Sequence, residues 1–195
     1  MSREASTRML VPAGILGLVL VACGGGSAGS GIEALFPRNE TVAGWTVDQS
    51  DGNTVARHKT AAVATSKTQA AVDLQLGDAV EPFYAGYSPK KLALQSYVNS
   101  NMGGTVVVIV LEMPTADQAA ALYGSLVSDV SYSSSVWEDP ANVGTASRIA
   151  DTGTTWWVNF YQGVYYVEDK LYPSGGDATT RADALEFAQA IAQKI

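Results

Sequence analysis

The chain has 195 residues, with 12 basic against 19 acidic side chains, a net charge of −7, one cysteine and one histidine. That length builds one domain with a sizeable core. The acidic balance, with no basic cluster, excludes charge-driven binding to nucleic acid or to anionic lipid, and a lone cysteine excludes an internal disulfide.

Residues 1–22 divide into three zones. Arg3 and Arg8 make a positive start, Met9 to Val21 is apolar but broken by Pro12, Gly14 and Gly17, and small residues lead to Cys23. The apolar run is shorter than the roughly 20 residues of a permanent membrane span, and the pattern fits a cleaved secretory leader. Leu20-Val21-Ala22-Cys23 resembles the lipobox of bacterial lipoproteins. In that family the cysteine thiol takes a diacylglyceryl group and the leader is cut just before it. The resemblance implies a fatty-acid anchor on Cys23 and a place in the bacterial cell envelope. Stable anchoring needs two lipid signals, and a diacylated cysteine supplies them. Gly24 stands where some of these proteins carry an inner-membrane retention aspartate, which points to the periplasmic face of the outer membrane in a Gram-negative cell.

Removing the leader takes Arg3, Arg8 and Glu4 from the totals, leaving 10 basic against 18 acidic residues and a net charge of −8. Residues 23–31 then comprise the anchored cysteine and a Gly/Ser tether, and residues 32–195 the globular domain. Gly24, Gly26 and Gly29 satisfy G-x-G-x-x-G, but the motif needs a strand before it and a helix after it to hold a dinucleotide. It is discarded.

Trp45, Val47 and Val55 flank Ser50-Asp51-Gly52-Asn53, a hairpin signal. Residues 68–80 read as a helix that Pro82 ends. Leu92 to Val98 reads as a strand. Thr105 to Leu111 is β-branched and apolar without alternation, as expected of a central strand buried on both faces. Thr115-Ala116-Asp117-Gln118 is a capping box, opening a helix with Ala119, Leu122, Leu126 and Val130 on one stripe. Residues 131–144 read as a polar loop containing Trp137.

A two-residue turn at Gln162-Gly163 would set Phe160 against Tyr165 and Val158 against Val167, placing Trp156, Val158, Phe160, Tyr165 and Val167 on one apolar face. The opposite face, with Trp157, Asn159, Tyr161, Val164, Tyr166 and Glu168, is amphipathic. A closing helix from about Thr180 to Ile195 aligns Ala184, Leu185, Ala188, Ile191, Ala192 and Ile195. Three ββα-like groupings predict a single α+β domain with an antiparallel or mixed sheet and helices packed on it. Leu76 to Tyr84, Lys91 to Tyr97, Glu112 to Ala119, Gly163 to Val167 and the alanine-rich terminal helix together resemble a bacterial family of unknown function found among exported proteins and lipoproteins. The resemblance implies export and the α+β fold, and it supplies no catalytic residues.

Catalytic and metal constellations are sparse. His58 lies between Arg57 and Lys59, and no G-x-S-x-G elbow occurs. One histidine and one cysteine make no zinc ligand set, and Asp48, Asp51 and Asn53 miss the calcium-loop spacing. The pairs Glu138-Asp139 and Glu168-Asp169 read as solvated charge. No cofactor is implied. The aromatics carry the functional expectation: Phe83, Tyr84 and Tyr87 cluster in a loop, and Trp157, Tyr161 and Tyr166 share a hairpin face. Such rings either stack on a ligand or anchor a protein partner, or they are core beneath a helix. The expected function is a lipid-anchored, non-catalytic envelope protein that binds a protein or small ligand through these aromatics. The alternatives are an envelope hydrolase using carboxylates or His58, and a structural or assembly lipoprotein.

Overall fold

A computed structural model describes residues 31–48, 62–64, 87–101, 103–125, 137–138, 142–174 and 181–195. The expected leader, Cys23, the expected turn at 50–53, His58, the helix expected over 68–80, and Phe83 and Tyr84 lie outside the described residues. Among the described residues eight strands form one sheet: β1 (Thr46–Val47), β2 (Ala62–Ala64), β3 (Lys91–Val98), β4 (Thr105–Glu112), β5 (Trp137–Glu138), β6 (Ala146–Asp151), β7 (Trp156–Gln162) and β8 (Tyr165–Tyr172). Their order is β1-β3-β4-β8-β7-β6-β5, with β2 also paired to β3, and every pairing is antiparallel. Helix α1 (Ala116–Ser125) follows β4, and α2 (Arg181–Ala192) follows β8. The protein is an α+β domain.

The strand period of two decides what each helix covers. On one face Val106, Val108, Val110, Val158, Phe160 and Val167 meet Ala184, Phe187, Ala188 and Ile191 of α2. On the other, Leu92, Leu94, Leu111 and Tyr166 meet Ala119 and Leu122 of α1. The larger core lies on the α2 face. There the Phe187 ring stands edge-on to Trp45 at 5.4 Å and tilted against Tyr97 at 4.8 Å between centroids. Burying such a side chain contributes about 1.5–3 kcal/mol. Phe187 is absent from the stripe expected of the terminal helix, yet it occupies the middle of the buried surface.

The β7–β8 hairpin turns one residue later than expected. Gln162 pairs with Tyr165, Phe160 with Val167 and Val158 with Asp169. The turn residues are therefore Gly163 and Val164, and Gly163 takes φ +54, the left-handed angle that a type II′ turn takes from glycine at its first central position. The shift preserves which residues share a face, so the apolar face is as expected. What it changes is that Asp169 stands opposite Val158.

The reading of Glu168-Asp169 as solvated charge is overturned: Glu168 is 1% and Asp169 0% exposed. Adjacent residues on a strand point to opposite faces, and here each face carries a helix. Trp137 belongs to edge strand β5 rather than to a loop, because it pairs with Ala150. β4 is central as expected, but Val107 and Ile109 on the α1 face are only half-buried. The capping box is half made. Thr115 Oγ1 accepts from the Gln118 N–H at 3.2 Å, whereas the Gln118 carbonyl oxygen has no hydrogen-bond partner among the described residues.

Candidate functional site

Strands β6, β7 and β8 place Arg148, Asn159 and Glu168 side by side in one row on the α1 face. The next row in one direction holds Tyr161 and Tyr166, and the next in the other holds Trp157 and Lys170. Edge strand β5 adds Trp137, whose ring centroid is 6.5 Å from that of Trp157. Helix α1 adds Tyr123, 5.4 Å from Tyr161. A polar row is thus framed by aromatic rings, under a helix.

Arg148 is 3% exposed. Its guanidinium donates from Nη2 to the Tyr123 carbonyl at 2.6 Å and stacks over the Tyr123 ring at 4.2 Å and the Trp137 ring at 5.0 Å. The Tyr123 carbonyl belongs to the last turn of α1, where the helix dipole favours a cation. Cation–π contact contributes about 0.5–2 kcal/mol. No carboxylate among the described residues pairs with this arginine, and its Nε–H has no hydrogen-bond acceptor there.

Asn159, directly opposite, is 0% exposed, and neither its Nδ2 nor its Oδ1 has a hydrogen-bond partner among the described residues. Each such buried polar group costs about 1–3 kcal/mol. Glu168, by contrast, is engaged. The Lys170 ammonium contacts its Oε1, and the Tyr166 hydroxyl lies 3.4 Å from its Oε2. Lys170 also sits 4.8 Å over the Trp157 ring. Burial acts to lower the Lys170 pKa, but the charge and hydrogen bond of Glu168, with the Tyr172 phenol, outweigh it and raise it.

The described members of the expected aromatic set separate into two groups. Tyr166 is wholly buried core, whereas Trp157 and Tyr161 are half-buried. The half-buried Tyr87 donates from its hydroxyl to the Ala121 carbonyl on α1 at 3.3 Å, which brings it to the same layer. Trp157, Tyr161 and Tyr166 therefore line the polar row rather than forming an open platform. Reading from the sequence missed Arg148, Asn159, Lys170, Tyr123 and Trp137. A lone cation amid the small and apolar residues Ala146, Ser147, Ile149 and Ala150 was the available signal, since a strand that otherwise buries its side chains buries that one too.

On the α2 face the described buried polar side chains include Gln95, Ser147 and one carboxylate, Asp169. Neither carboxyl oxygen has a hydrogen-bond partner among the described residues. Burial first, and the charge of Glu168 second, push its pKa well above the usual carboxylate range. A separate surface groove of about 420 Å³ lies between α2 and Thr41–Val42, lined also by Glu186, Gln189 and Lys194. Lys194 donates to the Phe36 carbonyl, and burial followed by the nearby Arg38 charge lowers its pKa. This groove is across the sheet from the aromatic frame. Glu138 is exposed and pairs with Arg181 at 3.5 Å.

No group of acidic, histidine or cysteine side chains among the described residues is arranged to hold a metal ion. No protein-family model, curated protein or solved structure matches the chain.

Proposed function

We propose that this is a lipid-anchored protein of the bacterial cell envelope whose domain binds a ligand, without turning it over, at the aromatic-framed row on the α1 face. The anchor rests on the Leu20-Val21-Ala22-Cys23 motif and the leader before it. The observation that carries the binding role is Asn159, wholly buried in the aromatic-framed row with neither end of its amide partnered among the described residues, and paired across the strands with Arg148, whose Nε–H has no partner there either. Buried polar groups are nearly always satisfied, and a bound ligand would satisfy this pair. Binding rather than catalysis is supported by the state of the nearest carboxylate: Glu168 is held by Lys170 and Tyr166.

The test has two arms. Intact-mass analysis of the mature protein is expected to find a diacylated Cys23 at its N-terminus, and Cys23→Ala is expected to move the protein out of the membrane fraction. Denaturing extraction of protein purified from envelopes is expected to release a small molecule in stoichiometric amount, reduced by Trp157→Ser or Tyr161→Ser. An unmodified leader defeats the placement. A protein that yields no small molecule, or yields it equally from the aromatic variants, defeats the binding role.

A further inference from the structure

Resting on that reading, the geometry points to the ligand's chemistry: we infer that Arg148 and Asn159 bind a small monocarboxylate that carries a hydroxyl or amino group beside its carboxyl carbon. The two side chains leave neighbouring strands at directly paired positions, where Cβ atoms stand about 4.5–5.5 Å apart. The Arg148 Nε–H and the Asn159 Nδ2–H are donors without a partner among the described residues, and the two oxygens of one carboxylate can accept from such a pair. The single positive charge of Arg148 has no carboxylate of this chain against it among the described residues. It matches one negative charge on a ligand.

A further atom of Asn159 bears on the second half of the molecule. Asn159 Oδ1 is an acceptor, so the group next to the carboxylate must donate. A hydroxyl or an ammonium does so, and a keto oxygen does not. Beyond Asn159, Glu168 contributes negative charge partly offset by Lys170. That neighbour disfavours a dianion such as a phosphate monoester and favours a donor at this end of the ligand. Tyr123 and Trp137 lie over the guanidinium, and Tyr161 and Trp157 flank the row on either side. A flat or apolar body would pack against these rings.

The test uses the mature lipidated protein in detergent and three probes at neutral pH: L-phenylalanine, L-phenyllactate and phenethylamine. Calorimetry and saturation-transfer NMR are expected to show saturable binding of one or both acids and none of the amine, which lacks the carboxylate. Arg148→Gln and Asn159→Leu are each expected to weaken the acid at least about tenfold, the loss typical of a hydrogen bond to a charged group. Asn159→Leu removes two unpartnered buried atoms, so its ligand-free thermal transition is expected at or above that of the parent, which separates lost binding from lost folding. Tyr172→Ala, at an exposed position, is expected to bind as the parent does.

Absence of acid binding up to about 10 mM overturns the inference. So does binding that survives Asn159→Leu, or a crystal structure grown with the acids in which ordered water alone meets Arg148 and Asn159. If the molecule extracted from envelopes proves to lack a carboxylate, this inference falls while the broader binding role stands.

Discussion

The two faces of β8 meet the same difficulty and resolve it differently. On the α2 face Asp169 is sealed among valines and Tyr97, without a partner among the described residues and driven towards its neutral form. On the α1 face Glu168 keeps a cation and a phenol as partners, and the row it belongs to continues through Asn159 to Arg148. One residue along the strand separates a polar group tolerated by neutralisation from a polar group set in a network. A buried charge is retained only where a counter-charge or a proton meets it. The α2 face is therefore built for cohesion, and the α1 face spends stability on polar groups that a tightly packed core would exclude.

If that contrast holds, the costliest change is on the α2 face. Phe187→Ala is expected to lose about 3–5 kcal/mol in denaturant unfolding, because the ring joins Trp45 and Tyr97 at the centre of that core. Trp157→Ala, half-buried on the α1 face, should cost clearly less, and equal losses would break the comparison.

Asp169→Leu moves the other way. Replacing a buried, unpartnered carboxyl with an apolar side chain is expected to stabilise the domain by about 1–3 kcal/mol at neutral pH. The pH dependence follows from the raised native pKa. Above a pH of about 4 the unfolded aspartate has lost its proton while the native one keeps it. The native state then binds more protons, so this residue's contribution to stability falls as pH rises from there until the native group also ionises. The titratable group facing it is Tyr97 from β3, with Glu168 beside it on the chain, and burial followed by the Asp169 charge raises the Tyr97 pKa. Unfolding curves across that range should slope downward in the parent, and the part of that slope due to Asp169 should vanish in Asp169→Leu.

Smaller effects complete the ranking on both sides of the sheet. Thr115→Ala is expected to cost about 1 kcal/mol by removing the cap of α1. Gln118→Ala should lie within about 0.5 kcal/mol of the parent, because the other half of the box is not formed. Glu138→Gln should change stability by less than about 0.5 kcal/mol, since its pair with Arg181 is exposed. Thermal melts of the three variants would rank them.

Much of the architecture was legible in local pattern. The β-branched run of β4, the parity of the β7–β8 residues and the small-residue stripe of α2 all follow from side-chain size and period, which act over a few residues. The turn at Gly163-Val164 was misplaced by one residue because Gln162-Gly163 and Gly163-Val164 are both admissible glycine turns; pairing along the whole hairpin chose between them. Trp137 was read as loop because two residues carry no period. It becomes a strand only through β6.

The candidate site was less legible, and the reason is physical. Leu20-Val21-Ala22-Cys23 and the α+β pattern are stretches of neighbouring residues, readable one after another. Arg148, Asn159 and Glu168 are separated along the chain and meet only because three strands align in register. Whether Glu168 and Asp169 face water or a helix also depends on what packs above and below the sheet. Sequence alone determined the strand faces, the helix stripes and the lone cysteine. Burial of the charges, and the partners each found or lacked, were decided by the tertiary fold, because the free energy of a charge depends on its surroundings in space rather than on its neighbours in the chain.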